Sequence, residues 1–291
     1  MRHSSSTGRR RLSNKEHRLA ALALVLFGLL APARAAAQAP GSAAQDGSAL
    51  GDAHRAFYNA RYDEAAALAQ AIETDTPADL AACELRTTAL LFQIKAAIGD
   101  DPDRDQAFAQ CASCAARLAS FIADTARGQG IARARLAAAP DDDVARFFLG
   151  KIDLNYVWLQ LGPLGRKKGW DEYWEARKSL DAVLKRHPNH IRARVARAWI
   201  DYIVDTRMPR GTRWVLGGGD RKRALVTMKE AADADASFFV HSEALFALWD
   251  LEVRERRLSA AVAIARTLAR DFPANRDLIR FLDAHAGGAQ Q

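Results

Sequence analysis

Three stretches of this sequence share one pattern, and the clearest is residues 173–188, YWEARKSLDAVLKRHP. The other two are residues 62–77, YDEAAALAQAIETDTP, and residues 258–273, LSAAVAIARTLARDFP. Each places an alanine twelve residues before a proline, in the pairs Ala65 and Pro77, Ala176 and Pro188, and Ala261 and Pro273. A small residue lets two helices approach closely, and proline ends a helix because it lacks the N–H that the next turn needs. The pattern predicts helices that pack tightly against a neighbour and then stop.

The rest of the chain also predicts helices. Alanine is abundant while Val, Ile and Thr are sparse, which favours helix over strand, and no stretch shows the alternation of a strand. Gly128 and Gly130 are expected to interrupt one helical region. The sequence predicts about eleven helices in antiparallel pairs, over residues 53–72 (with a turn at 59–63), 78–98, 104–125, 131–138, 141–161, 170–186, 191–205, 221–234, 237–254 and 258–270.

This pattern resembles the tetratricopeptide (TPR) repeat, in which a small packing residue precedes a closing proline. After Pro140, the pair Leu149-Gly150 also stands where the family has its Leu-Gly pair. The closing prolines, however, are separated by 63, 48 and 85 residues, and not by multiples of the family's period of about 34. The resemblance implies an all-α fold, a right-handed α-α superhelix of divergent TPR-like helical hairpins, as a single array over residues 51–285. It brings no enzymatic residues with it.

Residues 1–39 have the composition of a secretory signal peptide. Arg2, Arg9, Arg10 and Arg11 precede an apolar run from Leu19 to Ala31, which is followed by alternating alanines. That run is shorter than the roughly 20 residues a spanning helix needs, although an uncleaved anchor remains the alternative. We expect cleavage near Ala37 or Ala39 and a periplasmic or otherwise exported protein. Residues 40–50 are expected to form a flexible start of the mature chain, and residues 286–291 a disordered tail.

The net charge of the whole chain differs from the net charge expected of the mature protein. Of 42 basic and 35 acidic residues, seven basic and one acidic lie in residues 1–39, which leaves 35 basic and 34 acidic ones. The basic excess expected of a nucleic-acid-binding protein is therefore lost with the signal segment. Residues 163–230 still carry a net charge of +9, between segments of −6 (40–162) and −2 (231–291). We call residues 163–230 the basic band.

The three cysteines predict a structural disulfide. Cys111 and Cys114 form a C-x-x-C, but Ala115 replaces the histidine of a haem site and no second ligand pair completes a zinc site. The motif is predicted to lie within a helix, unlike the strand-to-helix context of thioredoxin-like motifs. Export favours oxidation, so Cys83 bridges to Cys111 or to Cys114, or these two join each other. Each pairing leaves one thiol free.

Residues 205–220 form the one long irregular loop that interrupts the predicted hairpins, and functional residues concentrate on such loops. Its three glycines could offer backbone N–H groups to an anion at the next helix start, but Asp220 is expected to cap that helix instead. The predicted binding residues lie on this loop and on the preceding helix: Arg194, Arg197, Trp199, Tyr202, Arg207, Arg210, Arg213 and Trp214.

These features predict an exported, non-catalytic interaction scaffold with a protein partner in the cell envelope. The concave helical surface would dock an acidic partner through the arginines of the basic band. The alternative is a small-anion-binding accessory component of an envelope transporter or export system, with its ligand near Trp199, Trp214 and the glycines. We expect no cofactor, no metal and no nucleic-acid partner, and contact with the membrane through the signal segment alone.

Overall fold

The computed structural model describes residues 48–285, which hold thirteen helices and no strand. The predictions for residues 1–39 and 286–291 lie outside this range. The helices are α1 Ala49–Tyr58, α2 Tyr62–Asp75, α3 Leu80–Ile98, α4 Arg104–Gln110, α5 Cys114–Ala138, α6 Asp143–Leu161, α7 Trp170–Arg186, α8 Ile191–Arg207, α9 Arg210–Arg213, α10 Arg221–Asp233, α11 Phe238–Arg254, α12 Leu258–Asp271 and α13 Arg276–His285. No helix of residues 48–285 has both the length and the apolar character required to cross a bilayer.

Small residues set the spacing between helices, as the sequence pattern predicts. Ala65, Ala176 and Ala261 are completely buried. Where α6 crosses α7, a Cβ added to Gly150 would stand 3.1 Å from Leu180 Cγ and 3.3 Å from the carbonyl oxygen of Ala176. The two helices approach closely because α6 has no side chain at Gly150 and α7 has only a small one at Ala176.

The predicted break at Gly128 and Gly130 is wrong. Helix α5 runs without interruption from Cys114 to Ala138. A Cβ on Gly128 would stand 2.5 Å from Cys83 Sγ and 2.7 Å from Ile152 Cδ1. This glycine therefore allows α3, α5 and α6 to pack together, and its role is close approach rather than a turn.

Several predicted helix limits also differ from the structure. Residues 104–125 were expected to form one helix, but α4 ends at Gln110 and α5 begins at Cys114, so the C-x-x-C lies at a junction. Residues 49 and 50 belong to α1 rather than to a flexible start, because Ser48 accepts a hydrogen bond from Gly51 N at 3.1 Å and caps the helix. The short helix α9 lies within the predicted loop 205–220, and α13 was not predicted.

The two ends of the described chain pack against each other. Asn275 Nδ2 donates a hydrogen bond to the carbonyl oxygen of Tyr58 at 2.7 Å, and Ala274 N donates to Asn59 Oδ1 at 3.1 Å. The ring of Tyr58 also stacks on Phe246, with centroids 5.2 Å apart. Helix α1 is thus held against α11 and against the segment that precedes α13.

Candidate functional site

Four charged side chains from four helices meet between the two ends of the chain. They are Glu84 of α3, Lys151 of α6, Arg192 of α8 and Glu243 of α11, and we call them the charged centre. Arg192 donates to Glu84 Oε2 at 2.9 Å and to Glu243 Oε2 at 2.5 Å. Lys151 Nζ lies 2.7 Å from Glu243 Oε1 and 3.5 Å from Glu84 Oε1. Each charge has two opposite partners, so the group is electrically neutral.

The surroundings of the charged centre keep all four groups ionised. Burial by itself would raise the pKa of Glu243, but Arg192 and Lys151 outweigh it and lower this pKa to about 2. The pKa of Glu84 is lowered by the same two cations against the same effect of burial. The pKa of Arg192 is raised, because the attraction of Glu243 and Glu84 exceeds the cost of burial. Removing one member would leave an uncompensated charge in the interior.

Aromatic rings and one histidine border the charged centre. The guanidinium of Arg192 lies over the ring of Phe147, 5.1 Å from its centroid. His54 of α1 stacks on Phe239 of α11, with centroids 5.3 Å apart. Burial and the positive charge of Arg192 lower the pKa of His54 to about 4, so this imidazole is neutral at pH 7. The centre therefore connects α1, α3, α6, α8 and α11.

Sequence reasoning missed the charged centre, although it had a signal. Lys151, for example, lies within the largely apolar stretch FFLGKIDL at residues 147–154. A lone charge on a buried helix face needs a partner. The sequence does not say that the partners come from helices up to 108 residues apart.

A second buried acid lies between α5, α6 and α7. Asp153 is completely buried, and its Oδ1 accepts a hydrogen bond from Gln129 Nε2 at 2.7 Å. Burial, reinforced by the negative charge of Glu175, raises the pKa of Asp153 to about 8. The nearby Arg133 is paired with Glu175. Asp153 is therefore largely protonated at neutral pH.

Of the three disulfide pairings left open by the sequence, the structure contains Cys111–Cys114. Cys83 is buried and free. Its Sγ donates to the carbonyl oxygen of Asp124 at 3.3 Å, and burial together with Glu73 raises the pKa of its thiol to about 12. The free thiol is thus kept in its unreactive neutral form. Within residues 48–285, no group of three or more His, Cys, Asp and Glu side chains is arranged to hold a metal ion.

Five of the eight predicted binding residues are engaged in contacts within the protein. Arg194 pairs with Glu230, and Arg197 lies 2.7 Å from Asp181 and 2.5 Å from Asp201. Neither arginine belongs to the charged centre, to which α8 contributes Arg192.

The remaining engaged residues lie farther along α8 and in the loop. Arg213 lies 2.5 Å from Asp205 and also donates to the carbonyl oxygen of Met208. Tyr202 is buried, and its hydroxyl donates to Glu255 at 2.9 Å. Trp199 is half-buried under the guanidinium of Arg254.

The other three predicted residues are free at the surface. Arg207 and Arg210 are exposed, and Trp214 is 77% exposed. They stand at the end of α8 and in the loop that follows it, next to the tryptophans that begin α7. The structure thus separates the predicted set into paired residues and a smaller group that faces solvent.

The glycines of the loop turn their carbonyl groups, not their N–H groups, toward the nearest charge. Arg177 of α7 donates to the carbonyl oxygens of Leu216, Gly217 and Gly218 at 3.0, 2.7 and 3.3 Å. Asp220 Oδ1 accepts from Arg223 N at 2.9 Å, which confirms the predicted helix cap. The start of α10 is therefore occupied by a carboxylate of the chain itself.

Exposed aromatic and basic residues cluster at one end of α7, α8 and α10. Tyr173 donates its hydroxyl to the carbonyl oxygen of Leu216 at 2.7 Å, which places the loop beside the first turns of α7. Arg221 N donates to Asp205 Oδ2 at 3.0 Å, which places the start of α10 beside the end of α8. We call the exposed aromatic, apolar and unpaired basic residues at this end the aromatic–basic edge: Lys167, Lys168, Trp170, Trp174, Arg207, Arg210, Trp214, Val215, Lys222 and Arg223.

Comparison of the chain with protein-family models, with curated proteins and with solved structures returned no match.

Proposed function

We propose that this chain is an exported, non-catalytic, TPR-like interaction protein that docks an acidic partner through the aromatic–basic edge. The observation that carries the proposal is the contrast in pairing among the basic residues. None of the edge's six lysines and arginines has an acidic partner among residues 48–285, and they surround exposed tryptophans. Exposed apolar patches next to unpaired charge are typical of interaction sites.

The close helix crossing supports the TPR-like part of the proposal. Gly150 and Ala176 meet at the crossing of α6 and α7, where the TPR pattern places its small residues. The charged centre supports a scaffold rather than a catalyst, because its four ionised groups neutralise one another. It stabilises the contact between helices from both ends of the chain.

Photo-crosslinking in intact cells tests the docking surface. A photoreactive amino acid is placed at Trp214 of the full chain, and in a matched control at Val144, which is 55% exposed at the start of α6. We expect a defined crosslinked species from position 214 that weakens as ionic strength rises, because salt screens exposed charges. Equal crosslinking from both positions would show that the edge is not a docking surface.

Export is tested separately. The proposal expects the protein in the periplasmic or secreted fraction, with a mature amino terminus just after Ala37 or Ala39. A chain that keeps residues 1–39 and stays in the cytoplasm would overturn this part of the proposal.

A further inference from the structure

We infer that the acidic partner of the aromatic–basic edge is the anionic headgroup surface of a phospholipid bilayer. This inference rests on the proposed function, because it names the partner of the same surface. It goes beyond the sequence-based expectation that only the signal segment contacts a membrane.

The apolar part of the edge projects outward. Trp214 is 77% exposed and Val215 52%, while Trp170 and Trp174 are each 43% exposed. The last two belong to the first two turns of α7, and both pack edge-on against Tyr173, which bonds the loop. Tryptophan is enriched where proteins meet the boundary between headgroups and acyl chains, because its ring is apolar and its N–H is polar.

The cavity beside the edge is too small for a partner's side chain. Behind Trp170 and Lys168 lies an apolar cavity of about 20 Å³, which has room for about one water molecule. A tight protein interface anchors side chains in well-packed pockets. Exposed tryptophan side chains can instead enter the fluid surface of a lipid bilayer.

The charge on the edge suits lipid headgroups better than a protein surface. Lys167, Lys168 and Lys222 make up half of its unpaired basic residues, whereas lysine is depleted in protein–protein interfaces. Two exposed acidic residues, Asp171 and Asp220, lie at the same end, which leaves a clear positive excess. Each lysine or arginine near an anionic bilayer contributes about 1 kcal/mol to binding.

The charges are also spread over separate segments. Lys168 precedes α7, Arg210 begins α9, and Lys222 lies in the first turn of α10. A single acidic peptide strand would have to reach each of these segments in turn. A negatively charged surface can contact several segments at once.

Co-sedimentation of the mature chain with vesicles tests the inference. The vesicles contain phosphatidylglycerol and phosphatidylcholine in equal parts, or phosphatidylcholine alone. We expect binding to the anionic vesicles only, with loss at high salt. Replacing Lys222→Ala together with Arg223→Ala should weaken binding about fivefold for each charge removed, and Trp214→Ala should weaken it about tenfold through lost apolar burial.

Two matched controls lie away from the edge. Lys185→Ala with Arg266→Ala removes two exposed and unpaired charges, and Val144→Ala removes an exposed apolar side chain. Both should bind vesicles like the unchanged chain. Equal binding to the two vesicle types, or equal loss in edge and control variants, would overturn the inference.

The remaining outcomes separate this inference from the proposed function. If the chain ignores anionic vesicles but position 214 crosslinks to an acidic protein, the membrane inference fails and the docking function stands. If neither vesicles nor a protein partner bind the edge, both fail.

Discussion

The charged centre and the aromatic–basic edge use the same residue types for opposite purposes. In the centre, Arg192 and Lys151 each contact two carboxylates, and the four side chains are only 4–16% exposed. At the edge, Arg207, Arg210 and Lys222 face water without an acidic partner in residues 48–285. The difference shows that location, and not residue type, decides whether a charge stabilises the fold or remains free for a partner.

The largest expected effect comes from breaking the centre. Arg192→Met should lower the free energy of unfolding by about 3–5 kcal/mol, because it leaves two buried carboxylates with one cation between them. Arg194→Met, two residues along the same helix, removes an exposed pair with Glu230 and should cost at most about 1 kcal/mol. Urea unfolding of both variants measures the difference.

A double replacement sharpens this test. Arg192→Met together with Glu243→Met leaves Glu84 and Lys151 as one balanced pair, 3.5 Å apart. We expect it to be more stable than Arg192→Met alone, since no charge is left over. If the double variant is less stable than Arg192→Met, the centre stabilises the fold by packing rather than by charge balance.

An intermediate effect on stability is expected at Asp153. Unlike the two acids of the charged centre, its buried carboxyl has no cation in direct contact. Its pKa is about 8 in the folded chain against an ordinary value of 3.8. The folded state therefore binds a proton that the unfolded state releases, and stability falls as pH rises from about 4 to 8. Asp153→Asn should raise the free energy of unfolding at pH 8 by about 1–3 kcal/mol, because the amide is neutral and avoids the cost of burying an ionised carboxylate.

The pH series supplies the control for this prediction. Near pH 4 the variant and the unchanged chain should have similar stability, because Asp153 is then protonated in the fold. Thermal unfolding at both pH values measures this. A stability difference that does not change with pH would assign the effect of the substitution to packing.

The smallest effect on stability is expected at the edge. Trp214→Ala, and Lys222→Ala with Arg223→Ala, should each change the free energy of unfolding by less than about 0.5 kcal/mol, as exposed substitutions do. The same variants should lose partner binding. If they unfold the protein as Arg192→Met does, the edge is part of the core and the comparison between the two regions fails.

Local chemistry made much of the fold predictable from the sequence. The buried Ala65, Ala176 and Ala261 and the cap at Asp220 follow from side-chain size and from the preference of aspartate for helix starts. The bounds of α7 were predicted to the residue. The role of Gly128 was predicted wrongly. From the sequence alone, a glycine that ends a helix cannot be told from one that lets Cys83 and Ile152 pack closely against the helix.

The sequence by itself determined the helical class, the basic band and some helix ends, such as those of α7, because these depend on residues a few positions apart. Only the tertiary structure decided which basic residues are paired. Arg192 meets Glu84 across 108 residues and Glu243 across 51, whereas Arg207 and Arg210 meet no acid within residues 48–285. Such pairings depend on which helix faces become neighbours, and that follows from packing of the whole chain rather than from local spacing.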